Sequence, residues 1–162
     1  MRLASVKWIT ISMLVLMFFG FTQLTMSQLG KGPQVDSVTV AQIQKLQSDQ
    51  TQRGRFVIID VRSKAETDVS VIPGALTKSE FEKSANQHQG KTIVVYCTIG
   101  VRSGKYAAEL NRKGWQALNY KGSILDWCQN KLPLQTPDGK RTNRVHTYSA
   151  RYSVPQEYTA VH

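Results

Sequence analysis

Two unbroken runs of β-favouring residues organise the middle of the chain, Phe56-Val57-Ile58-Ile59 and Thr92-Ile93-Val94-Val95-Tyr96. Neither alternates with polar residues, which is the pattern of strands covered on both faces, as in a parallel sheet. Ala117-Leu118-Asn119-Tyr120 predicts a further short strand. Between the strands lie helix-start signals. Thr39-Val40-Ala41-Gln42, Ser63-Lys64-Ala65-Glu66 and Thr77-Lys78-Ser79-Glu80 each fit a capping box. The first leads into Ile43 and Leu46 at helical spacing, and the third predicts a helix to about Gln89. Ser103 onward reads as helix through Tyr106, Ala107, Ala108 and Leu110, with Arg112 and Lys113 in its last turn and Gly114 as its stop. Ile72-Pro73-Gly74-Ala75 is extended and turns at its glycine, and positions 123–130 predict a last helix closed by Leu132-Pro133. Strands alternating with helices predict an α/β fold, a parallel central sheet flanked by helices on both faces.

The two ends differ from this middle. Positions 8–30 carry no charged residue, with Arg2 and Lys7 before them and Lys31 after. The run is long enough for a signal peptide and approaches the length of a bilayer-spanning helix. Residues 1–30 are therefore expected to be a signal peptide or signal-anchor helix. The domain would then be exported, either membrane-anchored on the extracytoplasmic side or secreted or periplasmic after cleavage. Residues 31–51 read as a linker and the first helix of the domain, and 52–134 as its body. Residues 135–162 form a polar tail bearing Lys140, Arg141, Arg144 and Arg151, expected as a solvated extension lying over the domain.

Charge narrows the partners. Lys and Arg outnumber Asp and Glu by 21 to 11, a net charge of +10. Such a balance suits nucleic acid, an anionic membrane surface or small anionic substrates. No basic run is interleaved with aromatics, so no nucleic-acid partner is expected. Two cysteines are too few for a disulfide framework, and no Cys/His cluster has zinc spacing, so no metal site is expected.

Cys97 is the candidate nucleophile. It follows the strand 92–96 and begins a loop delivered to a helix N-terminus, where free amides and the positive dipole end favour a thiolate. No histidine lies within the loop; His88, His146 and His162 are expected at the surface. The remaining logic is a thiolate in an anion-binding cradle, made by the amides of Thr98, Ile99, Gly100, Val101, Arg102 and Ser103. Gly100 lets the backbone curl. Arg102 either anchors a donor anion or fixes the loop through a carboxylate. Asp60 and Arg62 end the neighbouring strand, where a supporting pair is expected. Cys128 is either a small buried residue or a resolving thiol for Cys97.

These residues resemble a family. Cys97-Thr98-Ile99-Gly100-Val101-Arg102-Ser103, with Ala107-Ala108, Leu110 and Gly114, looks like the active-site segment of rhodanese-like sulfurtransferase domains. Ile59-Asp60-Val61-Arg62 followed by Glu66, then Ile72-Pro73-Gly74-Ala75, then Lys121-Gly122-Ser123-Ile124 through Trp127 and Leu132-Pro133, resemble further family elements in the same order. The resemblance implies a rhodanese-like fold and a persulfide on Cys97. Sulfane sulfur would come from an anionic donor, thiosulfate or a persulfide, and pass to a thiol or cyanide acceptor or a protein sulfur acceptor. It implies no cofactor. Two departures stand out. Thr98 occupies a place where thiosulfate-preferring relatives often carry a basic residue, and Ser70-Val71 replaces a Gly-His pair. The alternatives are a binding module without turnover and a cysteine-dependent phosphatase or arsenate reductase. The four residues between Cys97 and Arg102 match the shorter sulfur-handling loop rather than the longer phosphate loop.

Overall fold

Side-chain alternation along the buried strands divides the core into two layers. In the computed structural model, which describes residues 35–52 and 54–162, five parallel strands form one sheet. They are β1 (Ser37–Val38), β2 (Phe56–Asp60), β3 (Leu76–Thr77), β4 (Thr92–Tyr96) and β5 (Gln116–Tyr120), in the order β1-β5-β4-β2-β3. Helices α1 (Val40–Ser48), α2 (Lys64–Val69), α3 (Lys78–Ser84), α4 (Val101–Arg112) and α5 (Ser123–Gln129) complete the domain.

Right-handed crossovers fix which face each helix covers. The steps from β3 to β4 and from β4 to β5 run in one direction across the sheet, so α3 and α4 share a face. There Phe81, Tyr106, Ala107 and Leu110 pack on Val57, Ile59, Ile93, Val95 and Ala117. The step from β1 to β2 runs the other way and puts α1 opposite. On that face Ile43, Ile124, Trp127 and Cys128 pack on Ile58, Val94, Tyr96 and Tyr120. Neighbouring residues of β2 and β4 thus serve opposite layers, which is why both strands are apolar without interruption.

The three capping boxes open α1, α2 and α3 as their sequences predict. Two boundaries differ from expectation. The helix after the third box gives way at Ala85–His88 to a tighter 3₁₀ turn. Helix α4 begins at Val101, two residues before Ser103, because Gly100 turns the chain at φ +88° and starts the helix early.

Residues 135–162 pack on the domain. With Leu134 they form β6 (Leu134–Gln135) paired antiparallel with β7 (Arg141–Thr142), then β8 (Arg144–His146) paired parallel with β9 (Thr159–Val161). Strand β8 lies against α2, and Val145 and Thr147 are completely buried. The polar composition predicts solvation, but Val145, Val154 and Tyr158 pack on the core and, with the backbone pairing, seat the segment. The charge-free stretch at positions 8–30 lies outside the described residues. Among the described residues, no helix is long and apolar enough to cross a membrane.

Candidate active site

The carboxyl end of the central strand β4 delivers Cys97 between two helix N-termini. Its carbonyl accepts from the Ile124 amide at 3.2 Å, and the Thr98 carbonyl from the Leu125 amide at 3.4 Å. The first turn of α5 therefore grips the outer side of the loop. On the inner side the Cys97 amide donates to Ser123 Oγ at 3.1 Å, and that hydroxyl donates onward to the Tyr120 carbonyl at 2.8 Å. Ser123 holds this place at φ +56°, a left-handed conformation uncommon outside glycine.

Gly100 is required twice over. Its φ of +88° suits glycine, and a Cβ there would lie 2.2 Å from the Lys121 carbonyl oxygen. This close approach brings the Gly100 amide to 3.1 Å from Cys97 Sγ. Ser103 Oγ lies 3.5 Å from the same sulfur and 2.7 Å from Asn119 Oδ1, while Asn119 Nδ2 donates to the Gly100 carbonyl at 3.1 Å. A hydroxyl has one proton, so Ser103 serves either the sulfur or Asn119 at any moment.

These donors set the state of the thiol. Burial alone raises it. The Ser103 hydroxyl and the amides of Ser103, Ile99 and Gly100 outweigh that effect and bring Cys97 down to about 7. A thiolate is thus available near neutral pH without a histidine base.

The side chains of the loop divide between two roles. Thr98 is buried, donates to Glu66 Oε1 at 2.9 Å and accepts from Arg102 Nη2 at 2.8 Å. Arg102 grips Glu66 with both terminal nitrogens at 2.7 Å. Of the two roles open to Arg102, the structure shows the carboxylate contact. Its charge is held up first by Glu66 and also by the nearby Cys97 sulfur. Ile99 and Val101 instead point outward, 40% and 57% exposed. Their backbones line the loop while their side chains form an apolar rim.

Glu66 has a role beyond the helix cap that its sequence context predicts. It fits the capping box, and its Oε2 accepts from the Ser63 amide at 2.9 Å and hydroxyl at 2.8 Å. The same carboxylate anchors the cysteine loop. Burial opposes its ionisation, but Arg102, Ser63 and Thr98 together hold it down to about 2. Asn119 and Ser123 also go unpredicted. A polar residue within a buried strand was the available signal for Asn119; nothing in the sequence signals the backbone twist at Ser123.

Asp60 and Arg62 pair away from the sulfur. Arg62 Nη2 meets Asp60 Oδ2 at 2.7 Å with both side chains fully buried, and it also donates to the Ser70 carbonyl at 2.6 Å. Burial works against the Arg62 charge, and the Asp60 carboxylate overrides it and keeps the guanidinium protonated. Through Ser70, the C-cap of α2, the pair holds the end of that helix. Cys128 is a free thiol in the α1/α5 layer, fully buried and pushed up by burial to about 12. It behaves as a small core residue.

Residues 39–130 match the rhodanese-like domain family. A sulfurtransferase from Allochromatium vinosum is 31% identical over 93 residues, covering 51% of this chain and 81% of that protein. A probable adenylyltransferase/sulfurtransferase from Mycobacterium tuberculosis is 34% identical over 85 residues, but the match spans only 22% of its length and 49% of this chain. The crystal structure of a rhodanese-like domain protein from Staphylococcus aureus superposes with a TM-score of 0.50 at 25% identity, covering 57% of this chain and 91% of that one. A match over more than half the chain, on a fold that carries its cysteine loop between β4 and α4, places the protein in the rhodanese-like domain family.

Proposed function

We propose that this protein is a sulfurtransferase that carries sulfane sulfur on Cys97. The observation that carries the reading is the convergence of the Gly100 amide and the Ser103 hydroxyl on a thiol held near 7. The Cys97 thiolate attacks the outer sulfur of the donor. The donor's S–S bond breaks, and its remaining fragment leaves with the electron pair, as sulfite from thiosulfate or as a thiolate from a persulfide. Cys97 then bears a persulfide whose terminal sulfur is anionic, and the loop amides stabilise that charge. An acceptor thiolate attacks the terminal sulfur, and Cys97 leaves as thiolate, which is ping-pong covalent catalysis.

The electrostatics favour a singly charged persulfide over the thiosulfate dianion. Thr98 brings no positive charge, and the Arg102 cation is already matched by the Glu66 carboxylate. Relative kcat/KM for a thiol persulfide and for thiosulfate tests this preference, and equal or better use of thiosulfate overturns it. The sulfurtransferase reading itself is tested by mass measurement of the Cys97 peptide after donor treatment. One added sulfur atom, absent in Cys97→Ser, is expected; no adduct from any sulfane donor with a folded protein sinks the reading.

The charge-free run at positions 8–30 after Arg2 and Lys7 supports an exported domain held at or released from a membrane. Fractionation of expressing cells, with protease access to intact spheroplasts, tests it; a protein found wholly in the cytosol rejects it.

A further inference from the structure

Tyr148 has no ordinary reason for its position. Its residue is 66% exposed, and its backbone sits at φ +68°, where bulky L-residues are rare. Neither burial nor backbone preference accounts for an aromatic ring there. The chain is nevertheless pinned at the ring and just before it. The Thr147 amide donates to the Val161 carbonyl at 2.9 Å, the Tyr148 amide donates to His146 Nδ1 at 3.0 Å, and Arg62 reaches the His146 carbonyl at 3.5 Å.

The pinned ring meets the cysteine loop. Arg102 Cζ lies 5.5 Å from its centroid, within cation–π range. The edge of that guanidinium is committed, with Nη1 and Nη2 on Glu66 and Nη2 also on Thr98. Hydrogen bonds act only in the guanidinium plane, so its flat face is the direction they leave unrestrained. The ring is the neighbour within reach of that group outside its hydrogen-bond partners, with its centroid 5.5 Å from Cζ. We propose that Tyr148, supplied by a segment beyond the matched residues 39–130, is a positioning residue that fixes the Arg102 guanidinium beside the Cys97 loop. The inference rests on Cys97 being the reactive thiolate.

The test is the rate of Cys97 alkylation by iodoacetamide against pH in the full chain, read by peptide mass. Tyr148→Gly removes the ring and also relieves the positive φ, so loss of the ring is not confounded with strain. Tyr148→Asn is a second ring-less variant that tolerates the same backbone, and thermal unfolding confirms that each variant is folded. With the ring gone, alkylation below the wild-type midpoint slows about threefold, the size of a partly exposed cation–π contact. Tyr148→Phe keeps the wild-type profile, and in an Arg102→Ala background the ring-less variants add nothing. The proposal is overturned if the ring-less variants match wild type, if Phe fails as they do, or if their effect survives without Arg102. A depressed wild-type midpoint with unmoved Tyr148 variants sinks this inference alone. A wild-type midpoint at the ordinary thiol value overturns the reading of Cys97, and this inference with it.

Discussion

Glu66 and Arg102, 36 positions apart in sequence, meet through two hydrogen bonds of 2.7 Å. The Glu66 side chain is 3% exposed and that of Arg102 38%. Replacing Glu66 by Gln should therefore cost about 2 kcal/mol, less than breaking a fully buried pair because Arg102 keeps contact with water. The carboxyl is held down to about 2 in the fold, below its unfolded value. Its stabilisation is full above the ordinary carboxylate range and lost as pH falls towards 2. Urea denaturation of wild type and Glu66→Gln should give a gap that is constant near neutrality and closes in acid; a gap unchanged between pH 6 and 2.5 would contradict the assignment.

Cys97 should alkylate with a midpoint near pH 7, and Ser103→Ala should move that midpoint up towards the ordinary thiol value, because the Ser103 hydroxyl is the leading stabiliser of the thiolate. The depressed value also gives a stability signature. The thiolate's contribution is greatest above the unfolded thiol value of about 9 and disappears below about 7. Thermal melts of wild type and Cys97→Ser between pH 6 and 10 check this: the wild type should gain relative to the variant as pH rises.

Gly100→Ala should destabilise by about 3 kcal/mol, combining a left-handed backbone with a Cβ driven into the Lys121 carbonyl. Because that carbonyl is backbone, no side-chain rotation relieves the contact. Sulfur loading should fall with stability, since the 3.1 Å approach of the Gly100 amide to Sγ depends on the same turn. A variant with wild-type melting temperature and loading would show that the loop accommodates a side chain there.

Asp60→Asn leaves the Arg62 cation buried without its partner and should cost about 3–5 kcal/mol. Arg62 also reaches the His146 carbonyl at 3.5 Å, so the C-terminal segment should loosen first. Limited proteolysis should cut the variant within residues 143–155 before it cuts the central strands. Cleavage there at the wild-type rate would show that β8 is held independently of the pair.

Much of the frame was legible along the chain because it is encoded locally. The apolar runs at 56–59 and 92–96, the three capping boxes and the glycine after Cys97 each report on neighbours within a few positions. The supports of the site are encoded at long range. Glu66 announces itself as a cap to α2, and only tertiary packing turns the same oxygens towards Arg102. Asn119 looks like an interruption of a short strand until Ser103 is seen across from it. The final segment misleads for a different reason: its composition is polar, yet Val145 and Thr147 are buried, Val154 and Tyr158 pack on the core, and strand pairing holds the rest.

The loop's grip on α5 comes from main-chain amides of α5 bonding main-chain carbonyls of Cys97 and Thr98, contacts that use no side chain of Ile99 or Val101. Shape and outward appearance are thereby uncoupled. Ile99 and Val101 are exposed, so the surface that the loop presents can be altered at two positions without rebuilding the turn beneath them.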